Sequence, residues 1–234
     1  MEERYSRTAA LIGEEALSLL KSARVMVIGL GGVGGYAVEA LARAGIGTLA
    51  LVDGDKISES NINRQIIADY TTVGKYKADA FAERIKNINP DCRVACINEF
   101  ITADNITSLS LSDYDFVIDA IDTVSTKLAL AEICEAENIN LIASMGTGNK
   151  LNPSGFEITD IYKTSVCPLA RVMRTELKKR GVKKLTVLYS KEEPMRAPTP
   201  DGAKSRTPAS ISFVPSSAGL TIAGYVIRKI IGAV

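Results

Sequence analysis

Residues 29–34, Gly29-Leu30-Gly31-Gly32-Val33-Gly34, form a GxGxxG turn between an apolar run and a helical pattern. Glycine at Gly29, Gly31, Gly32 and Gly34 lets a backbone turn tightly and come close to phosphate oxygens. The N–H groups that open the next helix then face the negative charge. Asp53 follows 19 residues after Gly34, at the end of the next apolar run, where a carboxylate can hold ribose hydroxyls. The turn by itself does not separate one nucleotide from another, nor a nucleotide site from a glycine-rich turn without a ligand.

The choice between a dinucleotide and a triphosphate rests on the charges that follow. A reacting triphosphate needs cations, and usually Mg²⁺, around it. Ser60-Asn61-Ile62-Asn63-Arg64-Gln65, then Gly74-Lys75-Tyr76-Lys77, then Asp119-Ala120-Ile121-Asp122 each come after an apolar run. Strand ends on one side of a parallel sheet converge on a ligand crevice, so Arg64, Lys77 and Asp122 can meet there. Singly, each also reads as a surface charge; jointly they favour ATP over NAD.

The elements that must position them alternate. Apolar strands are predicted at 25–30, 49–52, 94–97, 116–118 and 141–143, with helices at 11–20, 37–44, 75–88 and 124–137 between them. That alternation predicts an α/β, Rossmann-like, doubly wound and mostly parallel sheet. After Gly148 the rhythm changes to short strands at 156–158, 185–189 and 211–214, read as an antiparallel C-terminal extension of the sheet, with a helix starting at Pro168. One domain over 1–234 is expected, with a nucleotide-binding half at 1–150 and a substrate-facing half at 151–234. The proline-rich stretch 191–208 reads as a long mobile loop or lid. The apolar tail 218–234 is interrupted by Arg228 and Lys229, so a packed helix is expected rather than a membrane span.

Composition excludes several chemistries. The chain has 234 residues, no histidine and a formal net charge of +1. A Ser–His triad and the commonest zinc ligand are therefore both absent. Cys92, Cys96, Cys134 and Cys167 form no CxxC pair, which fits free thiols in a reducing cytoplasm.

The glycine turn, Asp53-Gly54-Asp55, the Ser60–Gln65 segment, Gly74–Lys77, Asp119–Asp122 and an opening Arg4-Tyr5-Ser6-Arg7 together resemble the ubiquitin-activating-like adenylyltransferases. The resemblance implies that Asp53 holds the ribose, with Asp55 beside it, while Asn61, Arg64 and Lys77 bind phosphates. It implies that Asp122 positions Mg²⁺ and the reacting carboxylate, and that Arg7 reaches the ATP of a neighbouring subunit in a homodimer. The reaction it implies is carboxylate attack on the α-phosphate, giving an acyl adenylate and pyrophosphate.

Two departures narrow the acceptor. The paired CxxC motifs of sulfur-carrier activators are missing, and there is no room for a dedicated transfer-cysteine domain. Cys167, before Pro168, is read either as a functional thiol or as a dispensable one, since no histidine is present to activate it. The second departure is a basic run: Arg171, Arg174, Lys178, Lys179, Arg180, Lys183 and Lys184 put seven cations within 14 residues, with Glu176 the one acid. Such a run is either a solvated helix face or a phosphate-binding surface for RNA. Together with the segments at 167–174, 187–194 and 211–216, it resembles the branch of tRNA threonylcarbamoyladenosine dehydratases. That branch implies a tRNA substrate carrying threonylcarbamoyladenosine, and admits sulfur-transfer partners of the cysteine desulfurase system. The rival readings are activation of a ubiquitin-like carrier protein's C-terminus, an RNA-binding protein with a structural ATP, and a nicotinamide dehydrogenase.

Overall fold

The computed structural model describes residues 2–195 and 208–233, so most of the expected 191–208 loop, residues 196–207, lies outside the described residues. Seven strands form one sheet: β1 (Arg24–Ile28), β2 (Thr48–Val52), β3 (Arg93–Ile97), β4 (Phe116–Asp119), β5 (Leu141–Ser144), β6 (Phe156–Asp160) and β7 (Thr186–Ser190). Their order is β3-β2-β1-β4-β5-β7-β6. All neighbours pair in parallel except β6 and β7, which are antiparallel. The short apolar runs of β1, β4 and β5 are buried because helices cover both faces, as parallel strands require. The chain leaves β1 towards β2 on one side and reaches β4 on the other, so the strand order reverses between β1 and β4. Carboxyl ends of strands at such a reversal leave an open crevice.

Seven helices complete the described fold: α1 (Ser6–Ile12), α2 (Glu14–Ser22), α3 (Gly34–Ala44), α4 (Lys77–Ile88), α5 (Val124–Ala136), α6 (Pro168–Lys179) and α7 (Phe213–Ile230). One core lies where α2, α3, α4 and α7 pack on the sheet, through Leu20, Leu41, Phe81, Ile222 and Val226. The second lies under α5 and α6, through Leu130, Met173 and Leu177. None of the described helices is long and apolar enough to cross a membrane.

Three boundaries differ from the sequence expectation. The helix expected at 11–20 is two helices, α1 and α2, because Gly13 at φ +86° breaks it. The helix expected from 75 begins at Lys77, since Tyr76 is extended and bridges to Lys56. The expected strand 211–214 is instead the entry to α7. Its β-branched and aromatic residues imitate a strand, but Val214, Pro215, Ala218, Gly219, Ile222, Ala223 and Val226 bury one helical face, and a proline is tolerated in a first turn. The C-terminal extension of the sheet is therefore the β6–β7 pair alone, and the terminal helix starts at Phe213 rather than at 218.

α7 approaches α3 closely because Gly219 has no side chain. A Cβ there would lie 2.2 Å from the Val33 carbonyl oxygen and 2.9 Å from Tyr36 Cβ. Gly219→Ala is expected to push α7 outward and cost about 1–3 kcal/mol of stability, the usual penalty of overpacking. Denaturant unfolding checks this; an unchanged midpoint would show that the two helices have slack.

Candidate active site

The crevice at the strand reversal has a volume of about 450 Å³. Three turns build it. The first is residues 29–33 after β1, the second residues 53–55 after β2, and the third residues 120–123 after β4. Asn61, Arg64 and Gln65 come from the segment before α4, and Lys77 from its first residue. Thr147, Gly148, Pro208, Ser210 and Pro215 close the far side.

The four glycines of the turn are glycine for different reasons. Gly29 has φ +89°, and a Cβ on it would lie 2.6 Å from the Ala120 carbonyl oxygen. Gly34 would meet the Gly29 carbonyl oxygen at 1.8 Å, and Gly32 would press on Pro215 at 3.0 Å. Protein packing thus demands three of them. Gly31 differs: its nearest neighbour would be Gln65 Nε2 at an ordinary 3.7 Å, and it faces the crevice. The space beside Gly31 opens onto the crevice.

Asp53 ties the turns together. Its Oδ2 accepts the Leu30 N–H at 2.7 Å and its Oδ1 the Asp55 N–H at 2.8 Å. Lys77, only 4 % exposed, places its ammonium 3.3 Å from Asp53 and 2.7 Å from Asp55. With the two long Lys77 bonds at 3.3 and 3.4 Å, Asp53 already accepts four hydrogen bonds, so a ligand hydroxyl there would have to displace one of the Lys77 bonds. Asn61 caps its own short turn by accepting from the Ser58 N–H through Oδ1. The Arg64 guanidinium donates to the Ser60 carbonyl at 2.9 Å and to Asn63 Oδ1 at 2.8 Å, and makes no ion pair among the described residues. Asp122 is exposed on the rim, touched by the Thr123 hydroxyl at 3.4 Å.

The structure therefore brings Gly29, Gly31, Gly32, Asp53, Asp55, Asn61, Arg64, Lys77 and Asp122 to one crevice. Gly34 stands behind it, as packing rather than lining. Arg7 lies on the exposed face of α1 and does not line the crevice of its own chain.

One lining residue and one buried pair beneath the crevice were given no role from the sequence, although Asp119 belongs to the Asp119–Asp122 motif. Phe100, 67 % exposed, sits on the rim because Gly54 lets its backbone approach; a Cβ on Gly54 would lie 2.6 Å from Phe100 N. Its position just beyond β3, at a carboxyl strand end, was the available signal. Asp119 and Lys127 are both fully buried and pair at 2.9 Å immediately beneath the Asp122 turn. A lone lysine on the buried side of an otherwise apolar helix was the signal there.

The structure narrows two open readings. Cys167, the residue before α6, is 1 % exposed and lines no part of the crevice, which favours the dispensable reading of that thiol. The four thiols are free. Cys92 is half-buried and Cys96 exposed, whereas Cys134 is buried. Burial nonetheless pushes the Cys92 thiol up to about 11 and the Cys134 thiol up to about 12, and raises that of Cys96. On the basic run, Arg174 is turned inward, donating to the Thr164 carbonyl and hydroxyl. Lys179 pairs with Glu176, and Arg180 with Glu132. Arg171, Lys178, Lys183 and Lys184 remain exposed, with no acid partner among the described ion pairs.

A family model described as the ThiF family matches residues 5–233. A tRNA threonylcarbamoyladenosine dehydratase of Bacillus subtilis is 42 % identical over 243 residues, covering 99 % of this chain and 96 % of that one. The solved structure of the Escherichia coli tRNA N6-threonylcarbamoyladenosine dehydratase with AMP superposes with a TM-score of 0.91 at 38 % identity, covering 99 % of this chain and 95 % of that one. The same enzyme with ATP gives 0.89 at 36 % identity, with equal coverage.

Thiol chemistry provides a check. At about pH 7.5, iodoacetamide should label Cys96 first and leave Cys92, Cys134 and Cys167 unmodified in the folded protein, because thiolates react and burial suppresses them. Cys167→Ser should keep full activity. Loss of turnover in a folded Cys167→Ser variant would restore a catalytic role to that thiol.

Proposed function

We propose, for a chain that belongs to the ThiF family, the ATP-dependent dehydration of threonylcarbamoyladenosine in tRNA to its cyclic form. The observation that carries it is a full-length likeness to dehydratases of known name, joined to a crevice in which every expected nucleotide residue of the chain except Gly34 and Arg7 converges. The threonine carboxylate attacks the α-phosphate of ATP and pyrophosphate leaves. A group of the same modified nucleoside then attacks the acyl carbon, AMP departs and the ring closes, so the nucleoside loses the elements of water. Because attacker and acyl group share one molecule, effective molarity on the order of 10⁵ M or more replaces a strong base. That fits a chain without histidine.

The chain's own groups divide the work. The open space at Gly31 admits the phosphates; Arg64 faces the negative charge that develops on the leaving pyrophosphate, and Lys77, held by Asp53 and Asp55, stands beside it. Asp53 is placed for the ribose and Asn61 for a phosphate oxygen. Charge supports a need for more cations. Lining side chains include four acids, Asp53, Asp55, Glu99 and Asp122, against two cations, Arg64 and Lys77. Among the described residues no group of three potential metal ligands exists. Mg²⁺ typically binds through one or two carboxylates plus substrate phosphates, and Asp122, on the rim and outside the described ion pairs, suits that arrangement. Bound there, Mg²⁺ would supply charge neutralisation for the phosphates. Arg7, exposed on α1, is available to a second copy's crevice in a homodimer. No sulfur atom enters the reaction, so a sulfur-transfer partner supplies nothing to it. Four free thiols suit a reducing cytoplasm.

The exposed part of the basic run, Arg171, Lys178, Lys183 and Lys184, suits a tRNA backbone and supports a tRNA-facing role for the half beyond residue 150, which also lends Pro208, Ser210 and Pro215 to the nucleotide crevice.

Mass analysis of nucleosides after incubating the protein with ATP, Mg²⁺ and threonylcarbamoylated tRNA tests the reaction. The cyclic product is expected; its absence, with pyrophosphate exchange driven by a ubiquitin-like carrier protein instead, would overturn the reading. Asp122→Ala should abolish turnover while the protein still folds and melts cooperatively; normal turnover would remove Asp122 from the mechanism. Charge reversal at Arg171, Lys178, Lys183 and Lys184 should weaken tRNA binding on the order of tenfold or more and flatten its salt dependence, leaving ATP binding intact. Equal loss of both ligands would argue against a separate RNA surface.

A further inference from the structure

Asp122 has almost no contacts of its own among the described residues, yet the reaction needs its carboxylate in one place. Its position is inherited from residues 119–121, which precede it. Lys127, in the first turns of α5, reaches back beneath that turn. Its ammonium lies 2.9 Å from Asp119 Oδ2 and donates to the Ile121 carbonyl at 3.2 Å. Asp119 Oδ1 in turn accepts the Ile121 N–H at 3.1 Å. Both charged side chains are 0 % exposed. On the other side, Gly29 packs against the Ala120 carbonyl. The turn is thus held between the nucleotide loop and one buried ammonium.

Asp119 Oδ2 has the right distance to Lys127 but no well-directed hydrogen bond. The directed bond of the ammonium goes to the Ile121 carbonyl. For stability alone an apolar pair could replace such buried charges, often without loss. An apolar residue at 127 could pack under α5 but could not hold a backbone carbonyl two residues from Asp119. What the ammonium adds is the geometry of the turn.

We infer that Lys127 is a positioning residue for this reaction: through Asp119 and the Ile121 carbonyl it fixes the 119–122 turn and so aims the Asp122 carboxylate into the crevice. This rests on the role of Asp122 proposed above, and touches neither nucleotide nor tRNA directly. The single variant Lys127→Met leaves Asp119 buried without a partner and is prone to misfold. The neutral double variant Asp119→Asn with Lys127→Met removes the ion pair, while the amide oxygen that replaces the carboxylate still accepts the Ile121 N–H.

The experiment compares wild type, the double variant, Asp122→Asn and the triple combination. It reads thermal melting, the Mg²⁺ dependence of ATP affinity by calorimetry, and kcat and KM for ATP with threonylcarbamoylated tRNA. In the double variant, cooperative melting is retained and KM for ATP changes by less than about threefold, whereas kcat falls by about thirtyfold, the pattern of a lost transition-state interaction. The enhancement of ATP affinity by Mg²⁺ shrinks. In the Asp122→Asn background the same changes cost nothing further, because residues that act as one unit are not additive. A folded double variant with wild-type kcat and wild-type Mg²⁺ dependence would overturn the inference, as would equal losses with and without Asp122. If wild type forms no cyclic product, the proposed reaction falls, but the calorimetric Mg²⁺ arm still decides whether Lys127 acts through Asp122.

Discussion

The site depends on one close approach, that of Gly29 to the carbonyl of Ala120. These residues directly follow the neighbouring parallel strands β1 and β4, where the sheet order reverses. A side chain at 29 would put its Cβ 2.6 Å from the Ala120 carbonyl oxygen, so the two turns would have to move apart. Gly34 depends on the same contact, because it opens α3 directly over the Gly29 carbonyl. The start of α3, the space at Gly31 and the turn carrying Asp122 are therefore parts of one packed unit. A shift in any of them moves the others.

Around this unit the chain spends its charges unevenly. Lys77 is committed to Asp53 and Asp55, and Lys127 to Asp119. Desolvating such ions costs several kcal/mol each, which their mutual attraction recovers only with good geometry. Arg64 is anchored to uncharged oxygens, so its charge is not neutralised by a neighbouring acid among the described residues. The crevice wall is acid-rich overall. A triphosphate would add more negative charge to that wall.

The basic run on and after α6 shows the same selectivity. Seven cations are close in sequence, but they have three different fates. Arg174 braces the preceding loop, Lys179 and Arg180 pair with nearby acids, and the other four stay in water outside the described ion pairs. Exposed ion pairs contribute little to stability. The surface nevertheless stays cationic where no acid intervenes. Burial of Met173 and Leu177 beneath the helix fixes which side faces outward.

The sequence alone determined the parallel sheet, because strands buried on both faces must be apolar throughout and helices between them must be amphipathic. It also brought most of the named nucleotide residues to one crevice, although Gly34 and Arg7 do not line it and Phe100 was not foreseen. Motifs that follow successive strands are delivered to the same edge of a parallel sheet, so Asp53, Lys77 and Asp122 could be placed together by order alone. Single residues and short apolar runs were not decidable this way. Residues 211–214 fit a strand or a helix equally until α7 had α3 to pack on. Cys167 could be a functional or a dispensable thiol until α6 was seated on its core. Arg174 and Lys178 were equivalent on a helical projection, yet Thr164 lies beside one of them and water beside the other. Lys127 stood out in the sequence only as a lysine on the buried side of a helix, and what it braces emerged once that helix was laid under the Asp122 turn. Such assignments depend on contacts between residues distant in sequence or on the far side of a turn, and only the packed chain brings those contacts into being.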